Sequence, residues 1–133
     1  MKSHFPVSAA LFLASTIYTP AADWPNWMGP DRNGLSREII PDNVTINAPE
    51  WKAEVGIGFS SISFANGSVY TMGHRDGKET VWKLSAESGE VEGQYTYAAE
   101  LMPNLHEGGP GSTPTVADGR VYTCLLYTSP SPR

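Results

Sequence analysis

The chain has 133 residues, with 14 acidic and 9 basic side chains and a formal net charge of -5. That length corresponds to roughly one domain of average size, and the negative balance argues against a nucleic-acid-binding surface, which needs clustered Lys and Arg. Glycine (13) and proline (11) are plentiful and 11% of the residues are aromatic, which favours short strands separated by turns. We therefore expect an all-β protein that binds no nucleic acid.

Residues 1–22 have the features of a secretory signal peptide. Lys2 precedes an apolar run from Val7 to Ile17, and small residues up to Ala22 offer a cleavage site. The run is too short for a transmembrane helix, which needs about 20 residues, so the pattern predicts export without a membrane span. The alternative is a buried N-terminal helix. Because no cysteine directly follows the run to carry a lipid anchor, we expect a free periplasmic or secreted protein.

Residues 23–50 form a lead-in segment that is rich in Pro, Gly, Asn and Asp. This composition predicts an extended, turn-rich stretch. A strand-like run at residues 51–55 follows the lead-in segment. The four tryptophans of the chain are expected to be packing residues, because a large indole is stabilised mainly by burial; they are Trp24, Trp27, Trp51 and Trp82.

Four strand patterns follow, at residues 61–65, 69–72, 80–84 and 90–97. Asn66-Gly67 separates the first two and is a strong hairpin signal, because both central residues of a type I′ turn need a positive φ. The segment from His74 to Lys78 is expected to be a solvated hairpin tip, with its turn at Asp76-Gly77. Strands joined by turns this short predict a single antiparallel sheet in which each strand pairs with the next.

The first hairpin pattern recurs 52 residues later. Residues 60–71 align without a gap to residues 112–123, and Asp118-Gly119 takes the place of the Asn-Gly turn. Repeated four-stranded units at such a period are typical of β-propellers. The expected fold is therefore all-β, a partial β-propeller with one complete four-stranded antiparallel blade plus the first hairpin of the next. One blade cannot bury both of its faces alone, so we expect this segment to be inactive by itself.

Two motifs resemble the pyrroloquinoline-quinone (PQQ)-like repeat family of β-propellers. Residues 84–90, Leu-Ser-Ala-Glu-Ser-Gly-Glu, resemble the Leu-Asp-Ala-x-Thr-Gly-Lys signature of its repeats. Residues 24–34 resemble the Trp-Pro-x-Trp-x-Gly-Pro-x-Arg-x-Gly start of exported members. The resemblance covers residues 24–123. The sequence departs from it at Gly93, where a Trp that packs between blades is usual, and at Glu90, where Lys is usual.

The resemblance implies one of two functions. Some members of the family are quinoprotein dehydrogenases that hold PQQ and Ca²⁺ and oxidise alcohols or sugars. Others are scaffolds without a cofactor, and a shared fold does not decide between them. The first hypothesis is an exported binding or scaffold module that takes a protein or small-molecule ligand at its propeller loops. The alternative is a PQQ-dependent oxidoreductase, and a carbohydrate-binding propeller is a third reading.

The connection between the two repeats, residues 95–111, holds the candidate site residues. Asn104 and Glu107 offer oxygen ligands of the kind that Ca²⁺ prefers, and His106 has the chemistry of a general base or ligand. All three are therefore candidates for cofactor binding, with Asn104 and Glu107 as candidate metal ligands. The competing interpretation is an inter-blade connection whose polar side chains satisfy backbone groups. No catalytic residue is assigned from the sequence.

The last ten residues, 124–133, do not continue the strand pattern. Their sequence, Cys-Leu-Leu-Tyr-Thr-Ser-Pro-Ser-Pro-Arg, resembles the translation of a transposon adapter used to build sequencing libraries. We therefore expect a non-native tail after Thr123; the alternative is a natural Ser/Pro-rich end. Cys124 is the only cysteine, so an intrachain disulfide is excluded. The expected organisation is a signal peptide (1–22), the lead-in segment (23–50), an incomplete propeller repeat region (51–123) and the tail (124–133).

Overall fold

The computed structural model describes residues 21–45, 47–101 and 108–124. Over these ranges the chain is all-β, with no helix and six strands: β1 (Ser63–Ala65), β2 (Ser68–Arg75), β3 (Lys78–Ser85), β4 (Val91–Ala98), β5 (Thr115–Ala117) and β6 (Arg120–Tyr122). Strands β1 to β4 form one antiparallel sheet in sequence order, and β5 and β6 form a separate hairpin. The predicted blade and the first hairpin of the next are confirmed. Residues 1–20 of the signal peptide and residues 125–133 of the tail lie outside the described residues.

Three hairpin turns have the same backbone conformation. The first residue of each turn is an Asn or Asp with a φ between 50° and 52°, and the glycine that follows has a φ between 70° and 75°. These are the positive angles that a type I′ turn requires. The turns are Asn66-Gly67, Asp76-Gly77 and Asp118-Gly119. Two of them connect the strands of the sequence repeat, so the repeated sequence forms the same local structure twice.

The strand predicted at residues 51–55 is wrong, because this run crosses one face of the sheet instead of joining its ladder. The indole of Trp82 donates a hydrogen bond to the Val55 carbonyl at 3.0 Å, and the indole of Trp51 donates to the Ala86 carbonyl at 3.0 Å. A Cβ atom on Gly73 would lie 1.9 Å from the Val55 oxygen. The absence of a side chain at Gly73 therefore lets the crossing segment lie directly on β2.

The edge of β2 beyond β1 is covered by a second piece of chain. Ile57 forms an antiparallel bridge with His74, with N–H to carbonyl distances of 2.9 and 2.7 Å. Ser63 pairs with Tyr70, so the interval from Ile57 to Ser63 is two residues longer than the opposing interval from Tyr70 to His74. The extra residues leave the sheet, and Phe59 N–H donates to the Pro110 carbonyl at 2.8 Å. This excursion connects the first sheet to the segment that leads into β5.

The other face of the sheet packs against residues 108–114. Met72 is 2% exposed, and Pro110 and Pro114 are fully buried beside the sheet. The Ser112 hydroxyl lies 3.5 Å from the Met72 sulfur. The expectation that all four tryptophans pack is wrong for Trp27, which is 69% exposed. Its backbone carbonyl, and not its ring, takes part in a contact, since it accepts a hydrogen bond from the Trp24 indole at 3.3 Å.

Within the described ranges there is no helix with the length and apolar character needed to cross a membrane.

Candidate functional site

A groove of about 620 Å³ lies at one end of the four-stranded sheet. Antiparallel strands alternate in direction, so the β2–β3 turn and the exit from β4 lie at the same end, and the groove is formed there. Its lining comes from the end of the crossing segment and the residues after it, from the end of β2 with its turn, and from the exit of β4. It includes Glu54, Ile57, His74, Arg75, Asp76 and Leu101.

The groove combines charges of both signs with apolar surface. Glu54, Arg75 and Asp76 are exposed, and none of them forms an ion pair with another described residue. Ile57 and Leu101 contribute apolar surface and are 44% and 37% exposed. Charged side chains without ion-pair partners remain available to a ligand, and apolar lining excludes water from its other groups. No group of three or more His, Cys, Asp or Glu side chains suited to a metal ion occurs in the described part of the chain.

His74 is the one groove residue whose side chain is buried, with 2% of its surface exposed. Its Nε2 lies 2.9 Å from the Ala99 carbonyl oxygen. Because a carbonyl only accepts hydrogen bonds, Nε2 carries the proton, and in a neutral ring Nδ1 is then an acceptor. Among the described residues Nδ1 has no hydrogen-bond partner. A buried polar atom left in this state costs free energy, so His74 is held there by the surrounding sheet.

A polar row crosses the sheet from His74. His74 pairs with Glu79, and Glu79 pairs with Tyr97, so the three side chains lie on one face because directly opposed residues of antiparallel strands share a face. The Tyr97 hydroxyl donates to Glu79 Oε2 at 2.6 Å. Burial of the ring, together with the Glu79 carboxylate, raises the pKa of the Tyr97 phenol. Glu79 is itself only 6% exposed, so this hydrogen bond satisfies a buried carboxylate.

The sequence-based prediction of a solvated tip from His74 to Lys78 is therefore wrong at His74. Residues 75–78 are exposed as predicted, whereas His74 is a buried residue of β2, which continues to Arg75. The signal that identifies His74 is the period of two along the strand, since Tyr70 and Met72 precede it on the same buried face. Because the sequence-based prediction ended this strand at Met72, it overlooked both the polar row and the buried His74 in the groove.

The two copies of the sequence repeat lie side by side. The Ser60 hydroxyl donates to the Ser112 carbonyl at 2.9 Å, and these two serines occupy equivalent positions in the repeat. The fully buried Ser63 hydroxyl donates to the Pro114 carbonyl. Two serine side chains at the start of the first copy therefore bind backbone carbonyls at the start of the second.

The lead-in segment joins both copies. The backbone of Trp24 pairs with Phe64 of β1 through hydrogen bonds of 2.8 and 2.9 Å, and the Pro25 carbonyl accepts the Val116 N–H of β5 at 2.8 Å. Asp23 Oδ1 accepts the Asn66 N–H at 3.1 Å. Consecutive residues of the lead-in segment thus bind the first strand of the blade and the first strand of the next hairpin.

The predicted site residues Asn104, His106 and Glu107 lie outside the described residues. The described residues on either side are close to the groove, because Leu101 lines it and a Cβ atom on Gly109 would lie 2.7 Å from the carbonyl oxygen of Ile57, another lining residue. Their assignment to a cofactor or to Ca²⁺ stays a prediction.

Comparison with protein-family models, with curated protein sequences and with solved structures found no match for this chain. The similarity to PQQ-like repeats consequently rests on the motifs at residues 24–34 and 84–90 and stays a prediction.

Proposed function

We propose that this chain is part of an exported PQQ-like β-propeller that acts as a binding or scaffold module. The observation that carries the proposal is the contact between equivalent segments of the repeat, Ser60 with Ser112 and Ser63 with Pro114. Repeats that stack next to one another bury a continuous core only when further copies follow. We infer that the blade and the hairpin begin such a series.

Apolar surface left on both units supports the need for further repeats. Val91 and Tyr95 on β4 are 56% and 70% exposed, and Val121 and Tyr122 on β6 are 41% and 50% exposed. These are strand positions that a neighbouring sheet would bury in a closed array. The segment by itself is accordingly proposed to be inactive, with function residing in the complete array.

The groove at the end of the blade is the proposed ligand contact. It lies where the β2–β3 turn and the connection between repeats meet, and connections carry binding residues more often than strands do. Its charged residues, Glu54, Arg75 and Asp76, have no ion-pair partner in the described part of the chain and suit recognition of a polar group on a protein or small-molecule ligand. We propose that this contact binds its ligand without turnover.

The first test is the coding sequence that continues after Thr123 in the natural gene. We expect further copies of the strand–Asx-Gly–strand pattern at intervals of about 52 residues, since several copies are needed to close a propeller. A continuation without such copies would overturn the proposal.

The second test measures binding by the complete natural protein. On peptide and glycan arrays we expect saturable binding that weakens at least tenfold in the Arg75→Ala and Asp76→Asn variants. Arg37→Ala is the matched control, because Arg37 is 87% exposed and pairs only with Asp31 of the lead-in segment among the described residues. Binding that is equally sensitive to all three variants would contradict a role for the groove.

The oxidoreductase hypothesis is tested on the same protein with PQQ and Ca²⁺ added. We expect no PQQ absorbance retained after gel filtration and no reduction of an electron-accepting dye with alcohols or sugars. Retained cofactor with substrate-dependent dye reduction would replace the scaffold proposal by the quinoprotein alternative.

A further inference from the structure

The two edges of the four-stranded sheet differ in their backbone pairing. At the first edge, Trp24 pairs with Phe64 of β1, and Ile57 pairs with His74 of β2. At the other edge, β4 pairs with β3 alone, and no described residue forms a backbone hydrogen bond with its outer side. With respect to the described residues, the outer N–H and C=O groups of the eight-residue strand Val91–Ala98 are therefore unpaired, which is the state that favours addition of another strand.

Strand β4 has one feature that can protect an open edge, a β-bulge near its start, where the pairing with β3 shifts between Lys83 and Leu84; the strand beyond the bulge is regular. It contains no proline and no Lys or Arg, which are common protective residues. Its single charge, Glu92, accepts a hydrogen bond from the Ser68 hydroxyl at 2.7 Å and forms an ion pair with Lys83 Nζ at 3.1 Å. The largest side chain on the strand's open surface is Tyr95, which is 70% exposed.

We propose that the β4 edge binds a second copy of this chain, with the two β4 strands antiparallel about a twofold axis at Tyr95. The residues of β4 are self-complementary in this register. Tyr95 faces its own counterpart, and Tyr97 faces Gly93 of the second copy, where an aromatic ring covers the backbone that glycine leaves exposed. A twofold contact of this kind is closed and ends at a dimer.

The same register separates the negative charges. Glu92 lies opposite Ala98 of the second copy, so the two Glu92 carboxylates are six residues apart along the ladder, about 20 Å at the usual rise per residue. That separation exceeds the Debye length of about 8 Å at physiological ionic strength. On the other face, Gln94 lies opposite Thr96, so no like charges oppose each other within the strand Val91–Ala98.

The inference is independent of the proposed function, because the β4 edge exists whether or not further repeats follow. A chain that dimerises through β4 and lacks further repeats would contradict only the propeller proposal. A chain with further repeats and no β4 contact would contradict only the dimer.

The first experiment fixes the register by disulfide trapping in the full 133-residue chain carrying Cys124→Ser. Across the twofold axis the Cα atoms of residue 95 are about 4.5–5.5 Å apart, which suits a disulfide. We expect Tyr95→Cys to give a covalent dimer on mild oxidation. Gln94→Cys is the matched control, since its counterpart is about 8 Å away and too distant to bridge. Equal trapping at the two positions, or none at residue 95, would overturn the proposed register.

The second experiment measures mass by light scattering over a concentration series. We expect the unsubstituted chain to pass from monomer to dimer, and Tyr95→Lys, which opposes two positive charges at the axis, to raise the midpoint concentration at least tenfold. Ile40→Lys introduces the same charge at a lead-in position that is 79% exposed and should leave the midpoint unchanged. A chain that is monomeric throughout, or forms larger aggregates regardless of Tyr95→Lys, would overturn the proposal.

Discussion

Gly73 shows how one residue decides the packing of this sheet. It lies in the middle of β2, where a side chain would usually strengthen a strand, yet the Val55 carbonyl occupies the space of its missing Cβ at 1.9 Å. The same carbonyl accepts a hydrogen bond from the Trp82 indole. The close approach of Val55 to Gly73 and this hydrogen bond therefore depend on each other. His74, the next residue, is buried, and its Nε2 donates to the Ala99 carbonyl at 2.9 Å.

Substitution of Gly73 by Ala should destabilise the fold by about 3 kcal/mol or more, since overpacking a tight contact costs about 1–3 kcal/mol and more where the backbone must move. Urea unfolding measures the change. Gly93→Ala is the matched strand control, because its Cβ atom would meet only the Lys83 Cβ at 3.8 Å, and we expect a change below about 1 kcal/mol. Equal effects of the two substitutions would contradict the contact with Val55.

The Tyr97 phenol gives a pH dependence whose sign follows from its environment. Burial and the hydrogen bond to Glu79 raise its pKa in the folded chain, so folding stabilises the protonated phenol. This contribution is fully present below the unfolded pKa of about 10 and is lost as the pH rises through the folded value.

We therefore expect the free energy of unfolding to fall above about pH 10, and to fall less steeply in Tyr97→Phe. Absorbance at 295 nm should show a late step of tyrosine ionisation, and this step should disappear in the same variant. A late step that persists without Tyr97 would show that another residue is responsible.

At the scale of elements, the three Asx-Gly turns determine the hairpins. Gly67 has a φ of 75°, and a Cβ atom there would meet nothing within 4 Å. Glycine is therefore required at this position because of its positive φ, and not because a side chain would collide with neighbouring residues. The residues on both sides of the turn alternate between the two faces of the sheet. This alternation, together with the Asn-Gly turn, was enough to predict the hairpin.

Gly67→Ala should cost about 1–2 kcal/mol, the usual price of a left-handed conformation for a residue with a Cβ. Gly67→Asn should cost less, because asparagine tolerates that region better than alanine. Thermal or urea unfolding of both variants checks the order. A smaller loss for Ala than for Asn would contradict the turn conformation.

For the whole molecule, the lead-in segment connects units that have few other backbone contacts. Trp24 binds β1, and Pro25 binds Val116 of β5. The Trp24 ring lies against Gly29, where a Cβ atom would come within 2.7 Å of the ring, and its indole donates to the Trp27 carbonyl at 3.3 Å. The ring thereby holds the following turn against the residues that bridge the two units.

Trp24→Ala should loosen this bridge without unfolding the blade. We expect amide hydrogen exchange at Val116 to become at least tenfold faster, while amides in the middle of β2 and β3 keep their protection. Trp27→Ala is the control, because Trp27 is 69% exposed and contributes only its backbone carbonyl to the hydrogen bond with Trp24. Faster exchange throughout both units would indicate global unfolding and contradict a local role for the segment.

The sequence alone was sufficient for the all-β class, the order of the four blade strands and the second hairpin. These features depend on alternation between neighbours and on Asx-Gly turns, both of which are local properties of the chain. The same local reasoning failed at residues 51–55 and at His74, which contact residues distant in sequence, and at Trp27, which stays exposed.

Tertiary structure decided the remaining features. The crossing of residues 51–55 over Gly73, the burial of His74 beside Glu79 and the bridging by Trp24 and Pro25 each require partners that are between 5 and 91 positions away along the chain. A repeat in sequence predicted two similar hairpins, but only the fold placed Ser60 against Ser112. The physical reason is that backbone turns are determined by neighbouring residues, whereas burial and inter-segment hydrogen bonds are determined by which distant surfaces meet.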